Sequence, residues 1–218
     1  MAKVFLIAGL GADTRLYQNI ILPEGYEVVP ADWIVPAETD TLTTYAQKLV
    51  SHYAIADNSI VIGDSLGGMI AVEIAKQVKL AKVILISSIK TADEAPWYFN
   101  FLRYVPIYKP IPGTLFNKLG FLAGPIFGKM SADELGLFNS MLSKSSPVFL
   151  KWAMHAVLYF NNTERIANLY HIIGDKDQVF PWEKIKNPTA IIKGGTHIMV
   201  FDRADEINQL LAGILKNP

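Results

Sequence analysis

Short apolar runs alternate with longer, helically patterned segments along the first ninety residues. The runs at 3–8, 26–30, 59–62 and 82–87 are brief and mostly apolar, the signature of strands buried on both faces. Between them, 14–21, 42–53 and 66–78 carry apolar residues at helical spacing. In the last of these, Leu66, Met69, Ile70, Ile74 and Val78 share one face. Strand and helix in alternation predict right-handed crossovers and a mostly parallel sheet, an α/β architecture with helices on both faces. The rhythm stops near 91 and returns near 168, with strands predicted at 169–173 and 189–193 and a closing helix over 202–215.

The interval 91–165 has a different texture. It holds 14 of the chain's 24 aromatic residues and is punctuated by Pro96, Pro106, Pro110, Pro112, Pro125 and Pro147. A structureless loop of that length is improbable inside a compact domain. The pattern predicts a helical lid, with its longer helices at 133–143 and 147–159, inserted into a single domain whose six-stranded core is 1–90 and 166–218.

Composition narrows the function. The chain has 218 residues, long enough for a core that needs no covalent staple. Twenty basic residues against twenty acidic ones argue against nucleic acid as a partner. No cysteine means no disulfide framework, no thiolate zinc site and no thiol nucleophile. No apolar segment is long enough to span a bilayer. The apolar start at 4–8 falls short of the ~7–15 residues of a secretory signal, so it is read as a strand of a cytoplasmic protein.

Gly63-Asp64-Ser65-Leu66-Gly67-Gly68 fits G-x-S-x-G, placed after a predicted strand and opening a predicted helix. In that setting the serine occupies a strained turn that lifts its hydroxyl clear of the sheet, and the Leu66 N–H faces the site at a helix N-terminus. The plainer alternative is a serine that merely caps the helix. A serine nucleophile needs a base. Of the four histidines, His52 reads as a surface residue, His155 as packing in the lid near Trp152 and Tyr159, and His171 as a core residue inside a strand. His197 follows a strand and the turn Gly194-Gly195-Thr196, where parallel sheets present catalytic groups. Asp175 and Asp177, in the loop after the preceding strand, are both candidate orienting acids. Asp175 beside Gly174 looks like turn chemistry, and Asp177 is the better choice. The second oxyanion donor belongs in the loop after the first strand, where Gly9-Leu10-Gly11 makes the Leu10 N–H the candidate.

These motifs resemble the α/β-hydrolase family, in its lidded carboxylesterase and thioesterase-like form. The likeness spans nearly the whole chain and rests on Gly63–Gly68, Gly174–Asp177, Gly195–His197 and Gly9–Gly11. It implies Ser65 as nucleophile, Asp177 as acid, His197 as base, Leu10 and Leu66 as backbone oxyanion donors, and a small-molecule ester or thioester cleaved without metal or cofactor. Two departures separate the chain from many relatives. There is no room for two leading antiparallel strands, and Ala8 stands where a histidine often precedes the oxyanion-loop glycine.

Three other readings compete. Gly9-x-Gly11 followed by Asp32 resembles a dinucleotide-binding pattern, but Thr14 replaces its third glycine. The string Gly-Asp-Ser-Leu matches the GDSL lipases, yet here it follows the third strand, and Gly194 stands where their Asp-x-x-His needs an acid. A slow-turnover ligand-binding protein on the same fold is the third. Finally, Arg103, Lys109, Lys118 and Lys129 lie in an acid-free stretch with nine aromatics, between Ala95 and Ala132, which fits a lid that packs its aromatics on the core and solvates four cations, or, more sharply, an apolar acyl pocket with a cationic rim.

Overall fold

The computed structural model describes residues 1–106, 110 and 126–216. Its core is a single sheet of six strands, all parallel: β1 (Ala2–Ile7), β2 (Tyr26–Pro30), β3 (Ile60–Asp64), β4 (Lys82–Ile86), β5 (Leu169–Gly174) and β6 (Ala190–Ile192). They lie in the order β2-β1-β3-β4-β5-β6. The central β3 and β4 are buried along their whole length, which is why they read as unbroken apolar runs. The edge strand β2 is half exposed and ends at Pro30, a residue an edge tolerates because no ladder donor is needed there.

The chain leaves β1 toward one edge and returns as β3 on the other side. The β1/β3 boundary is therefore the switch point, and the crevice beyond the carboxyl ends of these two strands is where such sheets bind ligands. Helix α1 (Leu42–Tyr53) opens with reciprocal capping between Thr41 and Thr44 and packs on α2 (Leu66–Ala75).

Between β4 and β5 the described elements are helical: α3 (Trp97–Tyr104), α4 (Ala132–Lys144) and α5 (Pro147–Leu158). Ser131 with Glu134 caps α4, and the Ser146 hydroxyl caps α5 ahead of Pro147 in its first turn. The chain ends in α6 (Met199–Asp202) and α7 (Ala204–Lys216). No helix among the described residues is long and apolar enough to cross a membrane.

Two helical expectations need correction. The segment 14–21 forms only the 3-10 turn Thr14–Tyr17. Asp13 draws in the Arg15 N–H and guanidinium, and the Tyr17 hydroxyl is tied to the Ile7 carbonyl at 2.8 Å, so the turn is pinned to β1 rather than propagated. The closing helix over 202–215 begins earlier and breaks at Arg203, giving α6 and α7.

Candidate active site

Ser65 sits between β3 and α2 with φ 51° and ψ −117°, a conformation that side chains rarely adopt. Its carbonyl accepts from the Gly68 N–H at 3.0 Å and from the Ser88 hydroxyl at 2.6 Å. Gly67 makes the turn possible: a Cβ there would lie 2.1 Å from the Ile7 carbonyl oxygen, so α2 could not approach β1. The Ser65 hydroxyl makes no capping bond to α2. It stands 3.0 Å from His197 Nε2 instead, which removes the plain helix-cap reading.

His197 is buried in the turn after β6, held between the rings of Phe127 and Phe180, each with its centroid 5.4 Å away. Its Nδ1 lies 2.9 and 3.1 Å from the two carboxylate oxygens of Asp177. Asp177 Oδ1 also accepts the N–H groups of Val179 at 2.9 Å and Phe180 at 2.8 Å, which fix the carboxylate and leave Nδ1–H as the donor to it. The two loops meet because Gly174 and Gly195 touch backbone to backbone; a Cβ on Gly174 would fall 2.1 Å from the Gly195 carbonyl oxygen. Asp175 plays the turn role, accepting the Gly194 N–H at 2.6 Å. Burial lowers the His197 pKa, but the charge and hydrogen bond of Asp177, together with Asp64, leave it above its ordinary value.

Leu10 lies in the turn after β1 that is closed by the Ala12 N–H on the Gly9 carbonyl at 3.1 Å, and Leu66 is the first residue of α2. Neither N–H has a hydrogen-bond partner among the described residues, which leaves both as candidate oxyanion donors. Above Ser65 opens a cavity of about 510 Å³, walled by apolar residues of the β1 loop, α3, α4 and α5, among them Leu10, Phe99, Phe138 and Met154.

The other histidines stay away from the site. His155 stacks on Tyr159 with centroids 4.3 Å apart. His171 is buried in β5, where Nε2 donates to the Ser88 carbonyl at 2.9 Å and Nδ1 faces the Lys90 ammonium at 3.4 Å. Lys90 in turn pairs with the buried Glu94. Asp32 Oδ1 accepts the Thr14 N–H and hydroxyl at 3.1 and 3.0 Å, which ties the acid of the dinucleotide reading to the turn after β1.

Two residues of the site were missed in the sequence. Asp64, the variable position before the serine, is buried beside it and lines the cavity. A charged residue inside an otherwise Gly-rich elbow was the available signal. Ser88, which holds the Ser65 carbonyl, gives no signal at all, since its contact arises only when β3 and β4 pair. The cationic rim also changes. Arg103 is engaged internally, donating to the Leu158 carbonyl and to Asn100 with its charge over the Tyr159 ring. Lys109 and Lys118 lie outside the described residues, as do Tyr108, Phe116 and Phe121.

No protein-family model and no curated protein matches the chain. Solved structures do. A thermophilic esterase from Thermogutta terrifontis superposes with a TM-score of 0.76 at 17% identity, over 99% of this chain and 90% of that one. A hydrolase from Oleispira antarctica gives 0.76 at 16% identity, over 100% and 92%. A bromoperoxidase from Bacillus anthracis gives 0.71 at 19%, over 99% and 92%. The parallel six-stranded sheet, its flanking helices and these superpositions together identify the chain as having the α/β-hydrolase fold.

Proposed function

We propose that this chain is a serine hydrolase that cleaves a carboxylic ester or thioester through an acyl-Ser65 intermediate. The observation that carries the reading is the continuous line from Asp177 through His197 to the Ser65 hydroxyl, ending at an apolar cavity. Ser65 Oγ attacks the substrate carbonyl carbon as its proton passes to His197 Nε2. The negative charge that develops on the carbonyl oxygen is met by the Leu10 and Leu66 N–H groups. Collapse of the tetrahedral adduct expels the alcohol or thiol, which takes the proton from His197. Water then enters, gives its proton to His197 and releases the acid by the same steps in reverse. Asp177 holds the imidazole in the right tautomer and stabilises its cation. The chemistry closes without metal or cofactor.

The segment between β4 and β5 serves as a lid in this reading, with α3 and α5 roofing an acyl pocket. Turnover of p-nitrophenyl esters and acyl thioesters of graded chain length, with Ser65→Ala as control, tests the proposal. Hydrolysis by the native chain that is lost in Ser65→Ala supports it. Undiminished hydrolysis by Ser65→Ala refutes it, and turnover of none of these substrates leaves the ligand-binding alternative standing in its place.

A further inference from the structure

Asp64 differs from the other carboxylates of the site. It is only 5% exposed, it lines the cavity beside Ser65, and its Oδ1 has no hydrogen-bond partner among the described residues. Burying a polar oxygen without a partner is costly, and such a group in a cavity wall next to a nucleophile calls for a partner. Burial pushes this carboxyl up to about 7, with His197 opposing the shift and Asp177 adding to it. Asp64 therefore stands near the middle of its titration at neutral pH, with Oδ1 closed off from solvent and Oδ2 the oxygen left open to a ligand.

Gly9 shows where the carboxyl lies relative to the reaction. A Cβ on Gly9 would meet Asp64 Oδ2 at 2.9 Å and Ser65 Cβ at 3.2 Å. The carboxyl and the nucleophile thus flank one glycine, in the turn that carries the Leu10 N–H. A group bound at Asp64 lies within a few bonds of the carbon that Ser65 attacks. The leaving group must face His197 Nε2, which protonates it, so the flank at Gly9 is left to the acyl chain.

The cavity that Asp64 and Ser65 line is walled mostly by hydrocarbon, Leu10, Leu16, Phe99, Leu102 and Met154 among it. One acceptor in such a wall discriminates strongly. A substrate donor satisfies it, whereas a plain hydrocarbon in the same place leaves it unpaired. We propose that Asp64 is a specificity-determining residue that accepts a hydrogen bond from a hydroxyl on the acyl chain close to the scissile carbonyl, so that the substrates are hydroxyacyl esters or thioesters. This rests on the acyl-transfer reading of Ser65. A neutral hydroxyl fits better than an ammonium for two reasons. A carboxyl keeps an acceptor oxygen whether protonated or ionised, and a hydroxyl brings no further charge into an apolar cavity.

The experiment compares kcat/KM for p-nitrophenyl esters of butyric, 2-hydroxybutyric and 3-hydroxybutyric acids, with the methoxy analogues as size controls that lack a donor. In the native chain one hydroxy ester should exceed both the butyrate and its own methoxy analogue by about ten-fold or more, the value of a hydrogen bond to a charged acceptor. Asp64→Leu should erase that preference, and Asp64→Asn, which keeps an acceptor oxygen, should retain part of it. Equal rates for hydroxy, methoxy and plain esters in the native chain would overturn the proposal, as would a preference that survives in Asp64→Leu. A stronger preference for an aminoacyl ester, lost in Asp64→Leu, would replace the hydroxyl with a cation and overturn the class named here. Fluorophosphonate labelling of the same preparations separates the two levels. Labelled Ser65 without a hydroxyl preference removes this inference alone, whereas no label and no turnover remove the hydrolase reading as well.

Discussion

Ser65, His197 and Asp64 each carry a cost that folding alone does not explain. Ser65 holds a positive φ, His197 is a buried base, and Asp64 is a buried acid without a partner for one oxygen. The base must be neutral to take the Ser65 proton. Asp177 and Asp64 hold its pKa above the ordinary 6.5 against the pull of burial. For a neutral ester, kcat/KM should therefore rise with pH through a midpoint above 6.5. A rate profile from mildly acid to mildly alkaline pH checks this, and a midpoint at or below the ordinary histidine value would argue against His197 as the base. Asp177→Asn should cut kcat by roughly 10³–10⁴-fold, because the imidazole loses its fixed tautomer.

Asp64 links activity to stability. Its carboxyl titrates at about 7 in the folded chain and near its ordinary 3.8 when unfolded. Between these values the folded chain keeps a proton that the unfolded chain releases. Its contribution is therefore fully present below the unfolded pKa and is lost as pH rises through about 7. Asp64→Asn removes the titration and should raise Tm at mildly alkaline pH, a stabilisation on the order of a few kcal/mol, while changing Tm little near the ordinary carboxylate pKa. Thermal melts at the two pH values read the difference. Equal Tm changes at both would show that Asp64 does not carry a buried charge.

The elements bring these residues together, and here the sequence is legible in part. Ser65, Asp177 and His197 stand out because each lies beyond a strand next to glycines that permit close backbone approach. The strands stand out because buried parallel strands are short apolar runs. The segment 14–21 is misleading, since helical spacing does not reveal that Tyr17 is tied to β1 and Asp13 to Arg15. Asp64 shows in the sequence only as a charge within a Gly-rich elbow, and Ser88 is opaque, because its contact with Ser65 arises only when β3 and β4 pair. From Ser65 a hydrogen-bonded chain runs through Ser88 and His171 to Lys90 and Glu94, bracing the elbow against β5. Ser88→Ala is expected to lower kcat about ten-fold with KM nearly unchanged, because it removes the side-chain bond that braces the Ser65 carbonyl against β4 without touching the cavity wall. A change in KM alone would argue against this positioning role. Gly67→Ala should destabilise by about 3 kcal/mol or more, since its methyl cannot coexist with the Ile7 carbonyl and α2 would have to shift. Denaturant titration measures the loss, and native stability in that variant would contradict the elbow packing.

For the molecule as a whole, the candidate site lies at the switch point between β1 and β3, and α3, α4 and α5 from the segment between β4 and β5 contribute walls of its cavity. A cavity of about 510 Å³ with apolar walls is far larger than an acetyl group needs. Each buried methylene contributes ~0.8 kcal/mol, or roughly four-fold in binding, so kcat/KM should climb by about ten-fold or more from acetyl to medium-length acyl esters. A hydroxyl near the carbonyl is compatible with this trend, because Asp64 lies near Ser65 and the apolar walls extend beyond it. Best activity on acetyl esters would mean that the cavity does not hold the acyl chain.

The account depends most directly on one nucleophile. The decisive measurement is treatment of the folded chain with a fluorophosphonate, followed by intact mass and peptide mapping. A single phosphonyl adduct on Ser65 is predicted, absent in Ser65→Ala and formed orders of magnitude more slowly in His197→Ala. No adduct on a chain that hydrolyses esters, or an adduct on another residue with activity kept in Ser65→Ala, would contradict it.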